Sequence, residues 1–350
     1  MLQWREVVYL SAERASAQNL LLTADIGGTN ANFGLFITKE SDNKSLLLLA
    51  SFHCKSGQIL NFEEALRQVL ARIESLVGVV IVRLCIAAAG ILSENRRFVK
   101  ATNLQLSIDL DRIVAKTAIA DVELANDFEV IGYAIDVIDP KSIVLVRPGV
   151  ARAYANKAVL GAGTGLGKSI LFWNVATERY ESIPSEGGHA DCPFYTVQDL
   201  EIVDFIRTEE NMLEPLSFEN LLSGAGIRRL HRFFGHCING YSGGELPADE
   251  IFARRHDDQI CWNTYQKYTQ LMGRCAKNFI LESLCLGGLY IAGGIAAHNV
   301  ALFEQEAFVA ELKRAGKLLE VIDQVPIYVL ADYNVSLYGA ARYFMMMRAT

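Results

Sequence analysis

Three glycine-rich turns contain the residues of this chain that are best suited to binding a phosphate. They read Asp25-Ile26-Gly27-Gly28-Thr29-Asn30, Gly161-Ala162-Gly163-Thr164-Gly165-Leu166-Gly167 and Ala292-Gly293-Gly294-Ile295. Each turn follows an apolar run that is typical of a buried strand. Because glycine has no Cβ, the backbone N–H groups of such turns can approach a phosphate closely. Three turns of this kind in one chain favour a nucleotide-dependent phosphotransferase.

The first turn offers both phosphate donors and a carboxylate. The backbone amides of Gly27 and Gly28 and the side chains of Thr29 and Asn30 are candidates to hold the terminal phosphates of a nucleotide. We expect Asp25 to face a Mg²⁺ ion through water, because magnesium loses its waters reluctantly. A tight hairpin would explain the same residues from turn chemistry alone.

The second turn is harder to explain without a ligand. Its four glycines in seven residues are Gly161, Gly163, Gly165 and Gly167, and Thr164 lies among them. Each glycine weakens a strand or helix by roughly 0.5–1 kcal/mol, so such a cluster usually marks close approach of the backbone to a ligand. The turn is not a Walker A loop, since Ser169 enters a strand rather than a helix. It is not a dinucleotide fingerprint either, because no acidic ribose partner follows.

Asn126 and Asp127 lie where a predicted strand ends, a common position for active-site residues in α/β proteins. Asp127 is suited to be a general base that takes the proton from an attacking hydroxyl. Phosphoryl transfer needs little covalent help, so one carboxylate with Mg²⁺ and amide donors is a sufficient set. An Asx turn is the alternative interpretation of this pair.

Two further segments carry polar side chains suited to a ligand with several hydroxyls. Glu186 and His189 flank a glycine pair in Ser185-Glu186-Gly187-Gly188-His189. Glu219 by itself has the ordinary position of an acid in the first turn of a helix. A sugar needs several such donors and acceptors converging on it.

The composition describes an acidic protein with ample material for packed cores. Its 350 residues, 51% of them hydrophobic, suffice for two domains of ordinary size. The formal net charge of −7 argues against a nucleic-acid partner, and the apolar runs are too short for a membrane span. The seven cysteines form no C-x-x-C pair, so we expect reduced thiols in the cytoplasm.

The apolar patterns predict the elements that position these residues. Strands are expected over 20–25, 31–38, 46–54, 79–88, 122–125, 158–161, 169–174, 179–182, 289–292 and 327–331. Helices are expected over 61–75 with Asn61 as N-cap, and over 107–116, 197–208, 218–222, 224–234, 248–254, 264–286 and 337–347. A hairpin turn is expected over 41–44. This order predicts α/β architecture with a mixed sheet.

Taken in order, the motifs resemble those of the bacterial-type glucokinases, in the non-repressor branch of the hexokinase–actin–Hsp70 ATPase superfamily. The matching segments are DIGGTN at 25–30, TN at 102–103, AND at 125–127, GAGTGLG at 161–167, EGGH at 186–189, FENLLSG at 218–224 and IAGGI at 291–295. Their order and spacing match along nearly the whole chain after residue 20. GAGTGLG and EGGH together are specific to this family, whereas DIGGTN and AGG mark only the superfamily.

The resemblance implies an ATP-dependent kinase that phosphorylates the 6-hydroxyl of glucose in glycolysis. Asp127 would be the catalytic base. The residues that would bind glucose are Asn103, Asn126, Asp127, Glu186, His189 and Glu219. The turns at 27–28 and 161–167 would cradle the phosphates of ATP, and Gly293 and Gly294 would lie against the adenosine.

The family fold consists of two actin-like, ribonuclease H-like α/β domains around an active-site cleft that closes on glucose. By this resemblance the smaller N-terminal domain comprises residues 1–122 with a returning C-terminal helix over 333–350. The larger domain comprises residues 123–332. Members are commonly homodimers, and neither nucleic acid nor a membrane is an expected partner.

The chain departs from the family pattern at several positions. Asn32 stands where many relatives carry arginine, and Ser185 stands where a glycine commonly precedes Glu-Gly-Gly-His. Leu104-Gln105-Leu106 follows Asn103 where relatives often have a tryptophan. The zinc-binding cysteine cluster of the repressor–sugar kinase relatives is missing from the sequence, since only Cys192 closely follows His189.

The sequence leaves other functions open. A kinase for mannose, fructose or an N-acetyl sugar would use the same mechanism. Retention of Asp127 argues against a catalytically weak sugar sensor. A polymerising actin-like ATPase would have no reason to keep Glu186, His189 and Glu219. ADP or polyphosphate as the donor, and the role of residues 1–19, also stay open.

Overall fold

A computed structural model divides the chain into two compact units, and it describes residues 2–10, 16, 19–39, 42–101, 104–238 and 244–348. The first unit comprises Met1–Pro140 and Asp332–Thr350, and the second comprises Lys141–Ala331. Each unit has a six-stranded sheet with both parallel and antiparallel neighbours. The predicted α/β class with mixed sheets is therefore confirmed.

The sheet of the first unit has the strand order β1-β4-β3-β2-β5-β8. Its strands are β1 (Arg5–Val8), β2 (Leu20–Ile26), β3 (Asn30–Lys39), β4 (Asp42–Lys55), β5 (Arg83–Ala88) and β8 (Asp121–Asn126), while β6 (Phe98–Lys100) and β7 (Ser107–Asp109) form a separate pair. β2 is parallel to β5, and β5 is parallel to β8. Because the carboxyl ends of parallel strands meet at one edge of a sheet, Ile26, Ala88 and Asn126 end neighbouring strands at the same edge.

Helices cover both faces of this sheet. They are α1 (Phe62–Val77), α2 (Leu110–Lys116), α3 (Asp127–Ala134) and α12 (Val335–Arg348). The alternating side chains of β2 divide between two cores, Leu20 and Leu22 packing with α1 and α2, and Leu21 packing with α3 and α12. As predicted, Asn61 caps α1, its side chain accepting a hydrogen bond from the backbone N–H of Glu64.

The limit of the first unit differs from the predicted domain boundary after residue 122. β8 pairs with β5 along its whole length, and α3 packs against α12. A Cβ built at Gly339 of α12 would lie 2.0 Å from the carbonyl oxygen of Val130, so the two helices approach closely. These contacts place residues 123–140 with the first unit, because β8 and α3 complete its sheet and its second core.

The sheet of the second unit has the order β12-β11-β10-β13-β14-β9. Its strands are β9 (Ile143–Arg147), β10 (Lys157–Ala162), β11 (Leu166–Asn174), β12 (Arg179–Ser185), β13 (Leu289–Ala292) and β14 (Ile327–Leu330). β10 is antiparallel to β11 and parallel to β13, with Gly161 opposite Ala292. This register brings the second and third glycine turns to neighbouring positions.

Eight α-helices of the second unit lie between β12 and β14 in the described part of the chain. They are α4 (Val197–Glu210), α5 (Phe218–Leu222), α6 (Gly224–His236), α7 (Ala248–Ala253), α8 (Gln259–Ser283), α9 (Gly294–His298), α10 (Glu306–Leu312) and α11 (Leu319–Gln324). α8 begins earlier than predicted because Asp258 accepts hydrogen bonds from the N–H groups of Ile260 and Cys261. None of the helices in the described ranges is long and apolar enough to cross a membrane.

Buried ion pairs join α8 to α4 and α10 in the second unit. Lys267 Nζ lies 2.5 Å from Asp199 Oδ1, and Arg274 lies 3.1 Å from Asp199 and 3.4 Å from Glu311. All four side chains are at least 97% buried. The two positive and two negative side chains give this network a net charge of zero. Each buried charge is stabilised by its partners, so the loss of one charge leaves another unpaired.

Several short elements were not predicted from the sequence. Residues 107–109 form β7 rather than the start of a helix, because Asp109 caps α2. Asp42 already belongs to β4, and Ser41 of the predicted turn lies outside the described residues. The strand β1 is also new, and it pairs antiparallel with β4 between Arg5↔His53 and Val8↔Ala50.

Candidate active site

The edge of the first sheet brings Asp25 close in register to Asn126 and Asp127. Asp25 lies opposite Ala87 on β5, and Asn126 lies opposite Ala88 on the other side of that strand. Asp127 begins α3 directly afterwards. The structure thus unites, in one unit, the first glycine turn and the pair predicted to carry the general base.

The first glycine turn is a hairpin between β2 and β3. The N–H of Gly27 donates to the carbonyl of Asn30 at 3.1 Å, and Ser56 Oγ donates to the carbonyl of Gly27 at 2.6 Å. Asn30 Oδ1 accepts from Lys55 Nζ at 3.0 Å. The backbone of residues 25–30 therefore forms the tight hairpin that turn chemistry predicts. Phosphate binding by this hairpin stays a prediction.

Asp25 is held through one of its two carboxylate oxygens. Oδ2 accepts from Ser336 Oγ at 2.6 Å and from Asn32 Nδ2 at 3.4 Å, whereas Oδ1 accepts no hydrogen bond from the described residues. Burial raises the pKa of Asp25, and the bonds from Ser336 and Asn32 oppose that rise. A nearby cation would favour the ionised form.

This arrangement fits a magnesium ion bound mainly by the nucleotide. In the ranges that the structure describes, no three His, Cys, Asp or Glu side chains are grouped to hold a metal. Mg²⁺ in kinase sites is commonly bound by one or two carboxylates together with substrate phosphates and water. A single carboxylate such as that of Asp25, whose Oδ1 accepts no hydrogen bond from the part of the chain that the structure describes, meets that requirement.

Asn126 and Asp127 form the N-terminus of α3. Asn126 Oδ1 accepts from the N–H groups of Phe128 at 2.9 Å and Glu129 at 3.2 Å, and Glu129 Oε2 accepts from the N–H of Asn126 at 3.3 Å. This is a capping box, so the Asx-turn alternative describes the backbone correctly. Asp127 Oδ1 accepts from the N–H of Phe128 at 3.0 Å.

Glu129 and Arg96 support this helix start, and the sequence analysis did not identify either of them. Glu129 is 5% exposed and forms an ion pair with Arg96 Nη2. Arg96 itself has a positive φ of 54°. The spacing Asn126-x-x-Glu129 is a sequence signal for a capping box and would have predicted α3. No local signal identifies Arg96, since it lies 33 residues from Glu129.

The second glycine turn joins β10 to β11, with Gly161 opposite Gly167. The N–H of Gly163 donates to the carbonyl of Gly165 at 2.9 Å. A Cβ at Gly163 would meet no atom within 4 Å beyond its chain neighbours, whereas one at Gly165 would lie 2.5 Å from Glu219 Oε2. Packing therefore explains Gly165 but not Gly163, which lies beside Thr164 at the open tip of the turn.

The third glycine turn lies against the second. Gly293 has a φ of 93°, and a Cβ there would lie 2.4 Å from the carbonyl oxygen of Ala162. Gly294 opens α9, and a Cβ there would have no neighbour within 4 Å. Close packing therefore requires a glycine at position 293, whereas Gly294 borders open space that is suited to a ligand.

Glu186, His189 and Glu219 come together in the second unit. His189 Nε2 lies 3.8 Å from Glu186 Oε2, and His189 Nδ1 lies 3.8 Å from Glu219 Oε1. The side chains of Glu186 and His189 are 63% and 54% exposed. These distances exceed hydrogen-bond length, so the three groups share one polar cluster and keep capacity for a ligand. Asn103 lies outside the described residues.

Glu219 also connects this cluster to the second glycine turn. Its Oε2 accepts from the backbone N–H of Leu166 at 2.8 Å. A Cβ at Gly188 would lie 1.7 Å from the carbonyl oxygen of Leu166, so the Glu186–His189 segment also packs directly on the turn. Glu186, His189 and Glu219 are thus part of one packed structure with the second glycine turn.

Lys168 lies against the same segment, since a Cβ built at Gly187 would lie 3.0 Å from Lys168 Cδ. Its side chain is 1% exposed, and Nζ makes no hydrogen bond to the described residues. Nζ lies 3.6 Å from Glu282 and 4.8 Å and 5.4 Å from the ring centres of Phe279 and Phe218. Ion-pair and cation–π attraction thus stabilise this buried ammonium group.

Comparison with known proteins supports the motif assignment. A model of the glucokinase family matches residues 22–347. The glucokinase of Nostoc punctiforme is 26% identical over 345 residues, which cover 92% of this chain and 98% of that protein.

Solved structures agree with these sequence matches. A glucokinase from an Antarctic psychrotroph is 27% identical, with a TM-score of 0.75 over 93% of this chain and 98% of that one. The glucokinase of Balamuthia mandrillaris, solved with glucose, is 20% identical and has the same fold, with a TM-score of 0.81 over 95% of each chain. The predicted enzyme class, an ATP-dependent hexose kinase, is confirmed. The chain belongs to the glucokinase family.

Proposed function

We propose that this chain transfers the γ-phosphoryl group of ATP to the 6-hydroxyl of glucose, with Asp127 as the general base. The observation that carries the proposal is the connection of Glu219 to Leu166 at 2.8 Å. It joins a polar cluster suited to sugar hydroxyls to a glycine turn suited to phosphates. A kinase needs these two kinds of site next to each other, because the reacting groups must be held in contact.

We assign candidate glucose-binding residues to each unit by itself. Asn126 and Asp127 come from the first unit, and Glu186, His189 and Glu219 come from the second. Asn126 uses Oδ1 to cap α3, and Nδ2 donates to the carbonyl oxygen of Gly90 at 3.4 Å, so the second N–H of Nδ2 is the group left to donate to a sugar hydroxyl. Glu186 and Glu219 accept from hydroxyls, and His189 can donate or accept. Asn103 remains a predicted member of this set.

Asp127 removes the proton of the attacking hydroxyl in this mechanism. Its position at the first residue of α3 places it where the capping box holds the backbone rigidly. A carboxylate that must accept a proton only as the hydroxyl attacks needs an orientation fixed in advance. The buried Glu129 accepts from the N–H of Asn126 and pairs with Arg96, and these contacts stabilise that orientation.

The nucleotide is assigned to the glycine turns. Gly27, Gly28, Thr29 and Asn30 of one unit and the 161–167 turn of the other offer amides and hydroxyls to the phosphates, and Gly293 and Gly294 border the adenosine. The open space at Gly163 and Gly294 supports this assignment. Mg²⁺, bound to the phosphates and facing Asp25 through water, would neutralise charge that develops on the phosphoryl oxygens.

Three broader expectations remain part of the proposal. The enzyme acts in glycolysis in the cytoplasm, which agrees with seven cysteines that are all free, six of them buried. It forms a homodimer, as members of the family commonly do. A sedimentation experiment at micromolar concentration distinguishes a 38.7 kDa monomer from a dimer.

A coupled assay of ADP release over a panel of hexoses tests the substrate. We expect turnover with glucose, ATP and Mg²⁺, and much weaker turnover with mannose, fructose and N-acetylglucosamine. Strong turnover with one of these instead of glucose would retain the kinase mechanism and reject glucose as the substrate. Binding of a sugar without any turnover would favour a sensor.

A further inference from the structure

A chain of polar side chains leads from Asp25 to the N-terminal strand of the first unit. Asn32 Nδ2 lies 3.4 Å from Asp25 Oδ2, and Asn32 Oδ1 lies 2.9 Å from His53 Nδ1. His53 Nε2 lies 2.7 Å from Ser51 Oγ, which lies 3.2 Å from the hydroxyl of Tyr9. Asn32 and Ser51 are 8% and 0% exposed, and His53 between them is partly buried.

The ionised form of Asp25 determines which group donates in each hydrogen bond of this series of side chains. A carboxylate only accepts, so Asn32 presents its amide N–H to Asp25 and its oxygen to His53. His53 Nδ1 must then carry the proton, and Nε2 of the neutral ring accepts from the hydroxyl of Ser51. Ser51 in turn accepts from Tyr9.

The remaining partner of Tyr9 agrees with that direction. Asn334 Nδ2, a group that can only donate, lies 3.4 Å from the hydroxyl oxygen of Tyr9. Burial and the positive charge of Arg5, which lies opposite His53 in the β1–β4 pair, lower the pKa of His53 and so favour its neutral ring. The ring centre of Tyr333 lies 5.8 Å from that of His53, and the charges of Asp25 and Arg5 act on Tyr333.

We propose that Asn32, His53, Ser51 and Tyr9 are positioning residues for Asp25. Together with Ser336 they hold the carboxylate by Oδ2, so that Oδ1 remains available to the nucleotide-bound ion. The strand β1 is then a functional part of the site, because it brings Tyr9 to Ser51. This inference rests on the proposed function, since it assumes that Asp25 serves nucleotide binding.

Substitution of His53 separates positioning from general stability. His53→Leu removes both hydrogen bonds, whereas His53→Gln keeps one N–H donor for Asn32 and one acceptor for Ser51. Calorimetry would measure binding of the nonhydrolysable analogue AMPPNP with Mg²⁺, and binding of glucose separately. We expect His53→Leu to weaken AMPPNP binding roughly ten-fold, because residues that orient a metal's carboxylate commonly have effects of that size. Glucose affinity should be unchanged, and His53→Gln should restore nucleotide affinity.

Tyr9→Phe tests the end of the hydrogen-bonded series that lies farthest from Asp25. Tyr154→Phe, which changes an exposed tyrosine of the second unit, is the matched control. We expect Tyr9→Phe to weaken AMPPNP binding about two- to three-fold and the control to have no effect. Wild-type nucleotide affinity in a folded His53→Leu protein would overturn the proposal. An equal loss of glucose and nucleotide affinity would also overturn it, because that would indicate a general structural role.

The protonation of His53 gives a test that is independent of catalysis and of variant folding. The ¹⁵N chemical shifts of the imidazole nitrogens at pH 7 should show the proton on Nδ1 in the wild-type chain, with or without nucleotide. A proton on Nε2 would contradict the directed chain. If glucose is not phosphorylated but Nδ1 carries the proton and His53→Leu loses AMPPNP affinity, the proposed function fails and the positioning role stands.

Discussion

Glu219 accepts a hydrogen bond from the backbone N–H of Leu166 at 2.8 Å, although the two residues are 53 positions apart in the chain. Leu166 belongs to the second glycine turn, and Glu219 is the second residue of α5. His189 lies 3.8 Å from the other carboxylate oxygen of Glu219. One side chain therefore links the proposed sugar and phosphate sites within the second unit.

Glu219→Ala should impair both substrates. It removes a sugar acceptor and leaves the N–H of Leu166 without its partner, which costs about 1–3 kcal/mol if that group stays dry. We expect higher KM values for glucose and for ATP, measured in the coupled assay, and a lower Tm. Glu219→Gln, which keeps an acceptor, should have a smaller effect, and Glu209→Ala on the exposed face of α4 serves as the control. A raised KM for neither substrate would reject this role.

Asp127→Asn should abolish most turnover and leave glucose binding intact. A general base typically contributes 10²–10⁴-fold to the rate, so we expect a decrease in kcat of about that size. Because the base acts in the transition state, the dissociation constant of glucose, measured by calorimetry, should change little. Asp204→Asn, on the surface of the second unit, is a matched control. If Asp127→Asn retained wild-type kcat, another group would have to be the base.

Two glycine substitutions should separate ligand approach from packing. A Cβ in Gly163→Ala would have no described residue within 4 Å apart from its chain neighbours, so we expect an unchanged Tm and a higher KM for ATP. Gly293→Ala places a Cβ 2.4 Å from the oxygen of Ala162 at a φ of 93°, and we expect a loss of about 1–3 kcal/mol of stability. Gly244→Ala, where a Cβ also meets nothing, is the control for both measurements. An unaltered KM for Gly163→Ala would argue against phosphate binding at this turn.

The buried network of α4, α8 and α10 should make the stability of the second unit sensitive to acid. Burial alone would raise the pKa of Asp199, but the hydrogen bond and charge of Lys267 and the charge of Arg274 outweigh it and lower the pKa. A carboxylate whose pKa is lower in the folded protein stabilises it at neutral pH. That contribution diminishes as the pH falls below about 4.

Asp199→Asn should therefore destabilise the folded protein at pH 7 by about 3 kcal/mol, because two buried cations lose their shared anion. Urea unfolding between pH 3 and pH 7 should show that the difference from the wild type narrows towards the acid end. Glu210→Gln, in the more exposed cluster with Arg229 and Arg232, should have a smaller effect. Equal effects of the two substitutions would contradict the network's role.

Residues close in the chain account for most of what the sequence predicted correctly. Strands that end in glycine turns, the cap at Asn61 and the long helix α8 depend on periodicity and local hydrogen bonding, which the sequence displays directly. The capping box at Asn126 and Glu129 is equally local, and its pattern identifies α3 once the spacing is considered.

Contacts between distant segments account for the rest. The pairing of β1 with β4 and the place of β8 in the first sheet depend on partners tens of residues away, so composition showed no boundary after residue 140. Asn32 was recognised as a departure from the family pattern, but its contact with His53, 21 residues away, exists only in the folded chain. Lys168 likewise has no sequence pattern, because Phe218, Phe279 and Glu282 surround it only in the folded chain.

Comparing wild type and Asp127→Asn in the coupled assay, with glucose, ATP and Mg²⁺, tests the central claim most directly. The account predicts glucose-dependent ADP release by the wild type, and loss of that release in a variant that still binds glucose by calorimetry. ADP release by the wild type that does not depend on glucose, or undiminished turnover in the variant, would contradict it.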